Sequence, residues 1–279
     1  VTILGNPNVG KSTLMNQLMG ERLSIITQKA QTTRHRILGV VSEEDFQIVF
    51  SDTPGVINPH HNLHEAMMNF VNNSLEDADV VLYMVDSSKE DLKDVTFLEK
   101  IHSLKTPIIL LINKIDLIEQ DEVSSLIDYW SEKIPKAILV PVSALKKFNI
   151  DRIQEEILNL LPESPAYFSK DTLTDKSERF IVSEIVREKI LERYKQEIPY
   201  SVEVVVNSFE DKEKVIVIDA TIYVERESQK AILLGKKGVA INAVGTSARK
   251  TMQNFFKKKI FLGLFVKVAK DWRSKKQQL

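Results

Sequence analysis

The segment Gly5-Asn6-Pro7-Asn8-Val9-Gly10-Lys11-Ser12 constrains this chain more than any other, because it follows an apolar run at 1–4 and opens a helical pattern at 11–18. Strand, glycine-containing loop and helix in that order turn successive backbone N–H groups inward around an anion at a helix N-terminus. Lys11 is then placed to neutralise the outer phosphates of a nucleotide, and the Ser12 hydroxyl, followed by Thr13, to ligate Mg²⁺. Such a loop needs a buried sheet behind it, and the first 162 residues carry the pattern for one. Apolar runs at 37–41, 46–50, 80–85, 108–112 and 138–142 are continuous rather than alternating, as in strands covered on both faces. Helical patterns at 63–75, 95–104, 124–133 and 150–161 lie between or after them. The alternation predicts an α/β doubly wound sheet with its ligand beyond the carboxyl ends of the strands.

Those strand ends carry the remaining chemistry. Asp52-Thr53-Pro54-Gly55 closes the third run and is followed by Val56. A carboxylate there can hold the metal, and Gly55 lets a backbone N–H approach the γ-phosphate. The same four residues suit an ordinary turn; a phosphate loop earlier in the chain favours the functional reading. Asn113-Lys114-Ile115-Asp116 follows the run at 108–112. Asp116 can accept two hydrogen bonds from the ring N–H and amine of guanine, a pair adenine lacks. Ser143-Ala144, after the next run, can offer backbone N–H to the guanine carbonyl, a reading whose weight comes from position alone. In the polar stretch 27–35, Thr33 of Thr32-Thr33-Arg34 can complete the metal site and sense the γ-phosphate. The ligands expected are GTP or GDP with Mg²⁺, and Lys11, Thr33, Asp52 and Gly55 are the catalytic candidates.

Two prolines in Leu161-Pro-Glu-Ser-Pro165 close the last helix, so the expected domains are 1–162 and 175–279 with a linker at 163–174. The second half reads α-β-β-α-α-β: a helix at 177–195 with Asp175 and Glu178 as its capping pair, strands at 200–209 and 215–224, helices around 229–234 and past 238, and a strand at 261–269. Lys+Arg total 38 and Asp+Glu 39, a neutral average that hides an asymmetry. Residues 1–162 hold 15 basic and 23 acidic groups, whereas the last 51 residues hold 13 basic groups against one acid, Asp271. That points to a polyanion partner for the second half, nucleic acid or an anionic membrane. Gly235-Lys236-Lys237-Gly238 fits the GXXG loop that clamps a single-stranded RNA backbone. A bare GXXG arises by chance about once in a chain this long. Two lysines inside it, a helix on each side and the element order give it weight. Arg249 and Lys250 follow on the next helix. The tail lysines also suit a plain solvated face, and Phe255, Phe256 and Phe261 suit core packing better than base stacking. Trp272 could stack on a base or touch a membrane. The absence of cysteine excludes disulfides, thiol nucleophiles and Cys-ligated metals. No apolar run approaches the ~20 residues of a membrane span. Three histidines, His60, His61 and His64, suit solvent or a partner better than a metal.

GNPNVGKS, TTR, DTPG and NKID, followed by SA, resemble small GTPases of the translation-factor class, and QTTRHR with the second domain narrows the resemblance to the Era family of bacterial ribosome-assembly GTPases. It implies a GTPase domain followed by a type II KH domain that binds the 3′ end of small-subunit ribosomal RNA and assists 30S maturation. It further implies a monomeric cytoplasmic protein with peripheral association at the inner membrane in some bacteria. Where Ras-like enzymes carry a glutamine after the DxxG glycine, this chain has Val56, so unaided hydrolysis is expected to be slow. In related potassium-dependent GTPases a phosphate-loop asparagine helps hold K⁺, and Asn8 matches that position. The rival reading is a membrane-surface GTPase switch whose basic tail binds anionic lipid.

Overall fold

Continuous apolar runs become the strands of one buried sheet in the first half of the chain. The computed structural model describes residues 1–279 except 28, 30, 31, 57–61, 88–94, 197 and 270–279. Two units separate: Val1–Ser24 with Thr33–Asp175, and Ile25–Thr32 with Lys176–Leu279.

The first unit runs β1 (Thr2–Gly5), α1 (Lys11–Met19), β2 (Ile37–Ser42), β3 (Gln47–Asp52), α2 (Asn62–Glu76), β4 (Val81–Asp86), α3 (Val95–Ser103), β5 (Ile108–Asn113), α4 (Gln120–Lys133), β6 (Ile138–Pro141) and α5 (Ile150–Leu160). Strand order is β2-β3-β1-β4-β5-β6, with β2 antiparallel to β3 and every other pair parallel. The exception has a local cause: a tight turn in which Glu43 N–H donates to Phe46 O at 2.9 Å joins β2 to β3. A parallel crossover needs a dozen residues or more. All six residues of β5 are buried. β1, β3, β4 and β5 all end in the same direction, so Gly5, Asp52 and Asn113 reach one edge of the sheet. α4 starts four residues earlier than its apolar period shows, because its first turn is polar and held by a capping box between Glu119 and Glu122. Residues 163–174 lie along this unit: Gln47 Oε1 accepts from Tyr167 and Phe168 N–H at 2.9 Å each, and Thr174 bridges to Gly39.

The second unit contains α6 (Glu178–Arg193), β7 (Glu203–Asp211), β8 (Val215–Val224), α7 (Glu227–Leu234), α8 (Val239–Phe256) and β9 (Lys259–Val268). Its sheet is ordered β7-β8-β9, antiparallel then parallel. Alternation along β8 puts Ile216, Ile218, Ala220, Ile222 and Val224 into the core with Ile181 and Ile185 of α6 and Val244, Ala248 and Met252 of α8. Three expectations need correction. α6 is capped by Ser177, whose hydroxyl accepts from Phe180 N–H at 3.3 Å, while Asp175 belongs to the first unit and accepts from Leu38 N–H. β9 starts at Lys259, two residues earlier than the apolar run, because a strand's exposed positions need no apolar residue. Phe261 is 63% exposed rather than in the core, because its odd register position on β9 faces away from the helices. Phe255 and Phe256 do pack against the core, in edge-to-face contact.

The second unit also holds Ile25–Thr32 from the polar stretch. Glu188 of α6 accepts from Ile26 N–H at 3.1 Å, Arg187 donates to Thr32 O, and Lys29 donates to Tyr194 O.

Candidate functional site

The phosphate loop is shaped by two glycines that no other residue could replace. A Cβ on Gly5 would lie 2.1 Å from Met84 O, and one on Gly10, at φ 109°, would lie 2.3 Å from Asn113 Nδ2. The loop therefore sits directly on β4 and β5, and Gly10 leads into α1. Lys11 is 7% exposed, and its ammonium donates to Gly5 O at 3.1 Å and Asn6 O at 2.8 Å. Burial lowers its pKa to about 8, opposed in part by the charge of Asp52. A phosphate group would supply the counter-charge that this buried ammonium lacks.

Ser12, Thr33 and Asp52 come together as the sequence predicts. Ser12 Oγ donates to Asp52 Oδ2 at 2.8 Å and lies 2.9 Å from Thr33 Oγ1. Asp52 is fully buried, and its Oδ1 has no hydrogen bond. Burial raises its pKa, offset by the Ser24 and Ser12 hydroxyls and by Lys11. Two hydroxyls and a carboxylate with one unsatisfied buried oxygen make a hard, all-oxygen donor set that fits Mg²⁺. Gly55 packs on the loop, since a Cβ there would lie 2.8 Å from Pro7 Cγ. Thr53 and Val56 are both fully buried, with Thr53 Oγ1 donating to Ile3 O at 2.7 Å and Val56 N–H donating to Gly5 O. Their side chains serve the core, as does the side chain of Val9, which is 4% exposed. Val56 therefore has no polar group to offer a water molecule. Asn8 crowns the loop, exposed, at φ 66°.

On the base side, Asn113 ties two loops: its Nδ2 donates to Val9 O at 2.7 Å and its Oδ1 accepts from Ala144 N–H at 2.9 Å. Lys114 pairs with Asp86 at 2.9 Å, a role for Asp86 that its sequence position did not announce. Ser143 Oγ donates to Asp116 Oδ1 at 2.5 Å, which orients that carboxylate. Ile115 follows in a single helical turn with Asp116 and Leu117.

In the second unit, Gly235-Lys236-Lys237-Gly238 joins α7 to α8 as expected. Gly235 adopts φ 68°, ψ 179°, a conformation essentially closed to other residues, and Lys237 follows at φ 52°. Lys236, Lys237, Arg249 and Lys250 are all exposed. His60, His61, Trp272 and the tail cations from Lys270 onward lie outside the described residues. Among the described residues, no group of three His, Cys, Asp or Glu side chains could hold a metal, and no helix is long and apolar enough to cross a membrane.

Comparison with known proteins agrees in both halves. Residues 1–114 match the family model described as 50S ribosome-binding GTPase, and residues 197–273 match the KH domain model. GTPase Era of Alkaliphilus metalliredigens is 43% identical over 282 aligned residues, covering 100% of this chain and 96% of that protein. GTPase Era of Ruminiclostridium cellulolyticum is 39% identical, covering 100% and 94%. Two solved structures superpose with a TM-score of 0.94 at 39% identity, covering 99% of this chain and 95% of each: Era with MgGDPNP and nucleotides 1506–1542 of 16S ribosomal RNA, and a point variant of Aquifex aeolicus Era bound to GDP and AlF4⁻.

Proposed function

The chain belongs to the GTPase Era family, and we propose that it uses GTP binding and hydrolysis to control how its KH domain holds the 3′ end of small-subunit ribosomal RNA during assembly of the 30S subunit. The observation that carries this reading is one chain that brings Lys11, Ser12, Thr33 and Asp52 together at a phosphate loop and also carries a lysine-bearing GXXG loop between two helices. The relative solved with MgGDPNP and a 16S fragment supports both ligands. The domains proposed are a nucleotide module at 1–162, a connection at 163–174 and an RNA-binding module at 175–279, with Asp175 grouped with the first unit and Ile25–Thr32 with the second.

The chain's own groups divide the work. Backbone N–H groups of the loop and the Lys11 ammonium bind the β- and γ-phosphates and gather the charge that builds up as the γ-phosphoryl group transfers. Ser12, Thr33 and Asp52 would hold Mg²⁺, which supplies charge neutralisation between the phosphates. Gly55 N–H and Thr33 N–H are the backbone donors that would report the γ-phosphate. With the Val56 side chain buried, nothing directly after the DxxG glycine orients a water molecule, which supports slow hydrolysis unaided. Asn8 supports stimulation by K⁺; equal hydrolysis rates in KCl and NaCl would count against it.

We place the protein in the cytoplasm as a monomer, with any membrane association peripheral. The lipid-switch rival is the less favoured reading. Changing Lys236 and Lys237 to Glu separates the two. Loss of binding to a strand matching the small-subunit rRNA 3′ end, with unchanged sedimentation on anionic vesicles, supports the RNA assignment. Unchanged RNA binding contradicts it.

A further inference from the structure

The outer face of β9, away from the helices, repeats one pattern at its odd positions: Lys259, Phe261, Gly263, Phe265, Lys267. Both lysines are exposed, and Phe261 and Phe265 are 63% and 53% exposed. The other two strands place Val217 beside Phe261, Asp219 beside Gly263 and Thr221 beside Phe265, with Val205, 43% exposed, beyond Thr221. The result is an apolar strip bracketed by cations and floored by a glycine.

That glycine has a definite job. A Cβ on Gly263 would lie 2.3 Å from Asp219 Oδ1 and 3.7 Å from Phe265 Cε2. Its absence lets the carboxylate lie over the strand in the gap between the two rings. Asp219 Oδ2 accepts from Ser208 Oγ at 3.3 Å, which leaves Oδ1 facing that gap.

We propose that this strip is a second single-stranded RNA contact, separate from the GXXG loop, in which bases stack on Phe261 and Phe265, Lys259 and Lys267 meet the flanking phosphates, and Asp219 Oδ1 accepts an N–H from a base held between them. It rests on the RNA-binding reading above. Four residues at about 3.3 Å each separate the rings by about 13 Å, a span suited to two or three stacked bases. The face is graded in charge: Glu203 and Glu210 line its β7 side, while its lysines lie on β9. A polyanion is therefore steered along β9 and away from β7. Lys258 is already committed to Asp211 at 2.7 Å and takes no part. β9 is an edge strand and packs against both α7 and α8, which flank the GXXG loop, so a strand gripped there can continue over the edge. A purely apolar partner would leave Asp219 and both lysines unsatisfied.

The test uses the full chain at fixed salt, with four- and ten-nucleotide strands matching the small-subunit rRNA 3′ end. Phe261→Ala/Phe265→Ala should bind the short strand as the parent does, and bind the long one about tenfold or more weaker. Phe261→Tyr/Phe265→Tyr, which keeps the rings, should restore the long-strand affinity. Equal affinity of the Ala variant and the parent for the long strand, while Lys236→Glu/Lys237→Glu loses both strands, overturns the strip and leaves the GXXG assignment standing. Failure of the parent to bind either strand overturns both. A dimer of the parent that the Ala variant dissociates, with RNA affinity unchanged, assigns the strip to a second copy of the chain and also overturns the proposal.

Discussion

Asn113, 3% exposed, holds the phosphate loop and the Ser143-Ala144 loop with one amide. Asn113→Ala strands a buried carbonyl and a buried N–H, so it should cost about 1–3 kcal/mol of stability and weaken GTP and GDP equally. Thermal unfolding and calorimetric titration read both; selective loss of one nucleotide would contradict this shared role. Asp116→Asn should shift base preference from guanine to xanthine, whose extra ring carbonyl accepts where the guanine amine donates. Unchanged selectivity in competition binding would remove Asp116 from base recognition. Ser12→Ala should weaken nucleotide binding in Mg²⁺ and change it little in EDTA, where no metal bridges the hydroxyl to phosphate. The places of Ser12, Asp52 and Asp116 were legible in the sequence because their motifs put them at or just beyond the carboxyl ends of strands, Ser12 in the first turn of α1. The task of Asn113 as a tie between loops was not, since its partners lie far away in the chain at Val9 and Ala144.

Elements with a strong apolar period were legible, and those defined by polar contacts were less so. β4 and β5 lie where their continuous apolar runs put them, because burial on both faces leaves no other composition. The β7 bulge at Asn207 has no sequence signal, being a matter of pairing register with β8. The cap of α6 was misplaced by two residues because three residues in four, Asp175, Ser177 and Glu178, suit a helix start. Ser177→Ala should cost about 1 kcal/mol, read from denaturant unfolding, while Asp175→Ala should leave α6 itself intact. α6 carries a further surprise: Glu184, Arg187 and Glu188 are nearly fully buried along with its apolar residues. Arg187 pairs with Glu184, and the two long-range hydrogen bonds to Thr32 O and from Ile26 N–H lead from α6 to the polar stretch. Charge at those positions reads from sequence as a solvated face. Glu188→Ala should speed hydrogen exchange at the Ile26 amide without unfolding the rest of α6; unchanged exchange would show that the bond does not hold this stretch.

At the scale of the molecule, the proposed coupling of nucleotide to RNA would run through that stretch. Ile25–Thr32 is held by α6 in the second unit, yet the very next residue, Thr33, hydrogen-bonds Ser12 in the nucleotide site. A γ-phosphate that draws Thr33 toward the loop therefore pulls on a segment anchored to the RNA-binding module. The two charge halves fit this division, with an acidic switch and a basic reader in one nearly neutral chain. The asymmetry was legible from composition, but its wiring was not, because the segment between Ser24 and Thr33 has no apolar period to reveal its partner. Linkage fixes the sign of the coupling: if GTP raises RNA affinity, RNA raises GTP affinity by the same factor. The most direct measurement is the affinity of the full chain for a short strand matching the small-subunit rRNA 3′ end, loaded with a non-hydrolysable GTP analogue or with GDP. A scrambled strand at the same salt is the control. Tighter, sequence-selective binding in the GTP-analogue state than in the GDP state is the predicted result. Equal affinity in both states, or equal affinity for the scrambled strand, would contradict a nucleotide-controlled RNA switch.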